Sequence, residues 1–134
     1  MLTFQRTIPT LVYRDIPAAH DFLVNVFGFA PGGVCRNPEG QSIHGEVRVG
    51  ETTIWLHREI ADHELLSPLG SVRGSGLVVF VDNVDAHFER VRSAGARVDG
   101  APADQPYGQR EYGVRDIEGH RWWFVAPIAT PASV

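Results

Sequence analysis

Sliding the 134-residue chain against itself by 67 positions brings Asp15 onto Asp82, and the agreement continues on both sides. Tyr13 meets Phe80, Ala19 meets Ala86, His20 meets His87, Val24 meets Val91, Gly28 meets Gly95 and Gly33 meets Gly100. One register held over that span describes a structural unit used twice, which restricts the fold more than any local signal does. With 43% apolar residues the chain buries one ordinary core, so a single domain over residues 1–134 is expected. The first repeat then occupies about residues 6–58, the linker 59–74 and the second repeat about 75–127.

Each repeat reads as a strand, an aspartate, an amphipathic helix, a glycine stop and further strands. Thr7 to Tyr13 is β-branched and apolar, Asp15 is placed to cap a helix, and Pro17 falls in its first turn. Ala19, Phe22, Leu23, Val26 and Phe27 make one apolar stripe, ended by Gly28. In the second half Leu77 to Val81 is the strand and Asp82 the cap, with Asp85 three residues on. Val84, Phe88 and Val91 form the stripe, and Gly95 stops it. Extended segments follow at about 32–37, 42–49 and 52–58, and again at 96–100, 109–115 and 120–126. Turns at Asn37-Pro38-Glu39-Gly40, Gly50-Glu51 and Asp116-Ile117-Glu118-Gly119 separate them. The charged stretch 59–74, broken by Pro68, Gly70 and Gly74, reads as a loop, and the tail after Pro127 as loose. A helix covers one face of each sheet, so the other must meet something else, and curvature would make that face a cavity.

Several function classes are disfavoured. The net charge is −4 with no block of like charges, which gives nucleic acid or an anionic membrane no electrostatic handle. No window approaches the roughly 20 apolar residues that span a bilayer, so a cytoplasmic protein is expected. Cys35 is the sole cysteine and is assigned no role.

Three segments carry a resemblance that covers about residues 6–127. The first is Ile8-Pro9-Thr10-Leu11-Val12-Tyr13-Arg14-Asp15, followed by Ala18, Ala19, Phe22 and Phe27-Gly28-Phe29. The second is His44-Gly45-Glu46-Val47-Arg48-Val49-Gly50 with Ile54-Trp55-Leu56, and the third runs from Tyr107 through Gly119 to Phe124. Together they resemble the vicinal oxygen chelate (glyoxalase/bleomycin resistance) superfamily. That resemblance implies an α+β fold of two tandem βαβββ modules forming a curved mixed sheet around a cavity, and a homodimer. It also implies four metal-ligand positions, which here are Pro9, Trp55, Gly76 and Trp123. None of these side chains offers an imidazole, carboxylate or thiolate, so no metal or other cofactor is expected at the family site.

In place of a metal, Trp55 and Trp123 are expected to project into the cavity, where two indoles can stack on a flat ligand or attract a cation; the alternative is that they fill a hollow core. Trp122 falls on the opposite strand face, as helix-side core. A two-residue turn at Gly50-Glu51 pairs Val49 with Thr52 and sets His44 opposite His57, Glu46 opposite Trp55 and Arg48 opposite Thr53. This polar cluster has three readings: a ligand-contacting rim, an acid/base or displaced metal site built from His44, Glu46 and His57, or a solvated structural group. Tyr107 and Arg110 lie in the segment Gln105-Pro106-Tyr107-Gly108-Gln109-Arg110, which resembles the stretch that borders the ligand cleft in bleomycin-binding relatives, and Tyr112 would extend that wall; the alternative for Arg110 is a surface charge, and the sequence leaves the face of Arg110 and Tyr112 open. Pro9, Leu11 and Tyr13 are expected to line the pocket with apolar surface. His20 and His87 sit at equivalent helix positions and read as surface or boundary residues. No phosphate loop, nucleophile elbow or zinc-finger spacing appears.

The expected function is metal-independent binding or sequestration of a small, partly aromatic drug or natural product by a homodimer, with no nucleic-acid or membrane partner. The alternative is a lyase, isomerase or dioxygenase of the same superfamily that uses His44, Glu46 and His57.

Overall fold

In the computed structural model, which describes residues 2–69 and 75–128, the Asp15 carboxylate accepts the Ala18 amide at 3.0 Å and starts helix α1 (Ile16–Asn25). This cap satisfies one of the free amides of the first turn, and Pro17 sits where its missing N–H costs nothing. The chain divides into two compact units, Met1–Ser67 and Pro68–Val134. The architecture is mixed α and β, with one mixed sheet in each unit and no closed barrel.

Unit 1 comprises β1 (Thr10–Tyr13), α1, β2 (Ala30–Arg36), β3 (Ser42–Val49) and β4 (Thr52–Arg58), in sheet order β1-β4-β3-β2. β1 runs parallel to β4, and the other pairs are antiparallel. α1 packs on one sheet face, against β3, β2 and β4, and Ile16, Ala19 and Leu23 are buried there with Val47, Ile54 and Leu56, while Leu11 and Tyr13 of β1 are buried in the same unit. Burying each large side chain of this set contributes about 1.5–3 kcal/mol. Gly45 lets the helix approach: a Cβ there would lie 2.8 Å from Cγ2 of Ile16.

Unit 2 repeats the plan with β5 (Gly76–Phe80), α2 (Val84–Ser93), β6 (Arg97–Val98), β7 (Ala103–Asp104), β8 (Gln109–Arg115) and β9 (Arg121–Pro127). The strand order is β5-β9-β8-β6, with β7 also paired to β8. The expected strand at 96–100 is only the two-residue β6, and a second short strand, β7, follows at Ala103–Asp104. Between them Pro102 has no amide to give to a ladder. The core is Val84, Val91, Tyr112, Val114, Trp122 and Phe124. Trp122 is helix-side core, as its strand parity predicts. The turn before β9 is held by Asp116, whose Oδ1 accepts the amides of Glu118 and His120 and whose Oδ2 accepts the Trp122 indole N–H at 3.1 Å.

The repeat register differs from the 67-residue shift by one position in places. The α2 cap is Asn83, not Asp82: the Asn83 side chain accepts the Ala86 amide at 3.0 Å. Both helices have ten residues, so Ile16 corresponds to Val84 and Leu23 to Val91, a shift of 68. The glycine stops Gly28 and Gly95, both at positive φ, keep the shift of 67 because the second copy has one residue fewer after its helix. A one-residue difference in register exchanges the faces of a strand, which is why Tyr13 is buried while Phe80, its partner at a shift of 67, is 59% exposed. His87 consequently matches Ala19 rather than His20. It is a half-buried boundary residue on the sheet-facing side of α2, with its ring 4.0 Å from that of Phe124.

The linker contains a 3₁₀ turn at Ala61–His63, bracketed by a bridge between Ile60 and Leu65. The Glu59 carboxylate accepts the Ser67 amide and Arg14 Nε, both of which hold its carboxyl below the usual range. The remaining linker residues 70–74 and the tail from 129 lie outside the described residues. Among the described residues, no helix is long and apolar enough to cross a membrane.

Candidate functional site

In unit 2 the register of β8 with β9 puts Gly113 beside Trp123 and Glu111 beside Val125, while Tyr112 pairs with Phe124. Alternation therefore gives Glu111, Gly113 and Trp123 to the face away from α2. A pocket of about 390 Å³ opens there, with Asp99, Gln105, Tyr107, Glu111 and Trp123 in its wall.

Two glycines make the Trp123 environment possible. A Cβ on Gly76 would lie 2.7 Å from Cζ3 of Trp123 and 2.7 Å from the Arg121 carbonyl oxygen, so the indole occupies space that any larger residue would take. Gly113 leaves room for the ion pair of Asp99 with Arg121, and the Arg121 guanidinium lies 5.2 Å from the Trp123 ring centroid. The indole is thus already engaged by one cation.

Glu111, absent from the candidates read from the sequence, stands out among these side chains. Its Oε1 is buried and has no hydrogen-bond partner among the described residues. Most buried polar atoms in folded proteins are paired, so such an atom calls for an explanation.

Of the expected pocket residues on β8, Tyr112 belongs to the lining and Arg110 does not. The Tyr112 ring is buried toward α2, stacked against Phe124, with its hydroxyl 2.6 Å from Nδ1 of His87. Burial pushes its phenol well above the usual tyrosine range. Arg110 shares that strand parity and is held by Asp85 of α2 at 2.9 Å and Asp104 of β7 at 3.0 Å. The hydrogen bonds to Arg110 keep the Asp85 carboxyl below its ordinary range. Tyr107, by contrast, is in the pocket wall and 65% exposed.

In unit 1 the hairpin has the pairing the two-residue turn predicts: His44 opposite His57, Glu46 opposite Trp55 and Arg48 opposite Thr53. His44 Nε2 lies 3.1 Å from Glu46 Oε1, and its ring meets Trp55 edge-on at 5.2 Å. His57 Nδ1 contacts the Arg58 carbonyl at 2.7 Å. Trp55 is 38% exposed. The β1 residue beside it is Thr10; Leu11 pairs with Leu56 and is buried with Tyr13 in the same unit. Leu11 and Tyr13 are therefore core residues rather than pocket lining. Pro9 precedes β1 and gives its carbonyl to the Trp55 amide.

A second cleft of about 730 Å³ lies in unit 1 near the start of α1, walled by Arg14, Arg36, Arg58 and Glu59. Its polar lining contrasts with the aromatic wall at Trp123.

The metal implied by the family resemblance does not fit this donor set. Pro9, Trp55, Gly76 and Trp123 carry no ligand atoms suited to a divalent ion. Among the described residues no three His, Cys, Asp or Glu side chains gather to hold one, which includes His44, Glu46 and His57.

Comparison with known proteins places this geometry in context. Residues 6–124 match the family described as the Glyoxalase/Bleomycin resistance protein/Dioxygenase superfamily. An uncharacterised protein of Mycobacterium bovis is 33% identical over 125 residues, covering 90% of this chain and 82% of its own length. TioX from Micromonospora sp. ML1 is 32% identical, with a TM-score of 0.70 over 96% of this chain and 100% of that one. The fosfomycin resistance protein FosX from Listeria monocytogenes has a TM-score of 0.71 over 96% of this chain and 97% of its own, at 14% identity, a likeness of fold alone.

Proposed function

Because the chain belongs to the Glyoxalase/Bleomycin resistance protein/Dioxygenase superfamily, we propose that it binds and sequesters a small, partly aromatic molecule, a drug or natural product, without a metal. The observation that carries this reading is the pocket walled by Trp123 and Tyr107 on the open sheet face, in a chain whose family ligand positions hold no metal donors. Aromatic walls supply a large contact area at small entropic cost. Trp55, with His44, Glu46 and His57 beside it, offers a second set of contacts in unit 1. The protein acts as a cytoplasmic homodimer and confers resistance by holding its ligand away from the target.

The test is a tryptophan-fluorescence titration of the purified chain against a panel of planar natural products. Saturable quenching that Trp123→Ala abolishes is expected; no saturable change with any member would overturn the reading. Sedimentation velocity reads the oligomeric state.

A second reading, acid/base catalysis, is favoured by the hydrogen bond between His44 and Glu46 beside Trp55. Under it, a bound compound is recovered chemically altered, and His44→Ala stops the conversion even at ligand concentrations that saturate the variant.

A further inference from the structure

We propose that Glu111 gives the Trp123 pocket a preference for ligands bearing a protonated nitrogen or a cationic N–H group next to a planar ring. This inference rests on the reading of that pocket as a ligand site.

The argument begins with solvation. A carboxylate oxygen taken out of water loses strong hydrogen bonds, and a fold tolerates this when a partner replaces them. Glu111 Oε1 has no such partner among the described residues. Nearby charges are otherwise committed: Asp99 is paired with Arg121, and Asp104 and Asp85 with Arg110. Glu111 is thus the pocket carboxylate with an oxygen that still lacks a donor, and because that oxygen is covered, a ligand's N–H meets it only when the Glu111 side chain turns into the pocket. β8 holds it in place, since residues on either side of it are locked in the ladder to β9.

The surroundings select the donor's chemistry. A carboxylate accepts most strongly from a charged N–H. Tyr107 and Trp123 in the same wall favour a flat skeleton, and the Tyr107 ring face adds attraction for a cation, the Trp123 ring being already engaged by Arg121. An anionic ligand would meet an uncompensated carboxylate and be rejected.

The test is calorimetric titration of the full chain with two probes on one ring skeleton: 9-aminoacridine, a planar cation with N–H donors, and acridine, its neutral counterpart at pH 8. The wild-type protein is expected to bind 9-aminoacridine at least about tenfold more tightly, consistent with a charge-assisted hydrogen bond. In Glu111→Gln that ratio should collapse while acridine affinity stays within about twofold of wild type. Trp123→Ala should weaken both probes. Equal binding of the two by the wild type, or an unchanged ratio in Glu111→Gln, overturns the role of Glu111. If acridine binding still depends on Trp123 in that case, the pocket reading survives alone. If neither probe binds, or Trp123→Ala changes neither, both readings fall. The wild-type ratio needs no variant, and a thermal melt reports whether Glu111→Gln is folded.

Discussion

Cζ3 of Trp123 lies 2.7 Å from the point where a Cβ on Gly76 would be, so the two residues form one packing unit across β5 and β9. They are also two of the positions where the family resemblance implies metal ligands. The indole and the glycine are complementary, and restoring a ligand on one side alone would collide with the other. Gly76→Ala must displace both the indole and the Arg121 carbonyl, at a cost of about 1–3 kcal/mol in urea denaturation. Gly76→His is expected to lose more stability and still bind no stoichiometric zinc by elemental analysis.

Tyr112 links the core to the alkaline limit of stability. Its folded-state phenol titrates above the ordinary value of 10.0, because burial opposes the charged form. The unfolded chain therefore loses this proton first. Stability is full below about pH 10 and falls as pH rises from there toward the folded value. Tyr112→Phe should flatten that decline in melts recorded across pH 9 to 12. At pH 7 it should cost about 1 kcal/mol through the lost hydrogen bond to His87.

Asp116 gathers three donors within one buried turn: two amides and the Trp122 indole N–H. Asp116→Ala leaves all three without this acceptor and should destabilise the chain by about 3 kcal/mol. Asp116→Asn keeps an acceptor oxygen for the turn amides and should lose less. Chemical denaturation of the two variants checks the order.

Glu111 is expected to cost the free protein stability. Glu111→Met removes the unpaired oxygen and should stabilise the free chain by about 1 kcal/mol, a rise of a few degrees in Tm. A lower Tm in the free protein would mean that the carboxylate has a structural partner instead.

Gly45→Ala tests the approach of α1 to its sheet. The added methyl would lie 2.8 Å from Cγ2 of fully buried Ile16, and overpacking of this kind costs about 1–3 kcal/mol. A neutral result would mean that α1 shifts freely.

The duplicated unit was readable from the match of the chain with itself, and the helix from Asp15, the turn at Gly50-Glu51 and the pairing of Glu46 with Trp55 were readable because each depends on local geometry. A two-residue turn sets its own register, and a capping side chain reaches only a few residues. The face of β8 was not readable: its partner β9 follows a longer turn built on Asp116, and a one-residue difference in a turn exchanges the two faces of a strand. Arg110 and Tyr112 went to the helix side for that reason, and Glu111 went unnoticed. The same parity sends Leu11 and Tyr13 into the core, since β1 is registered by its parallel neighbour β4 rather than by any turn. Sequence alone determined what is repeated and which metal donors are missing at the family positions. Tertiary structure decided which side of each strand is buried, because that depends on pairing between segments far apart in the chain.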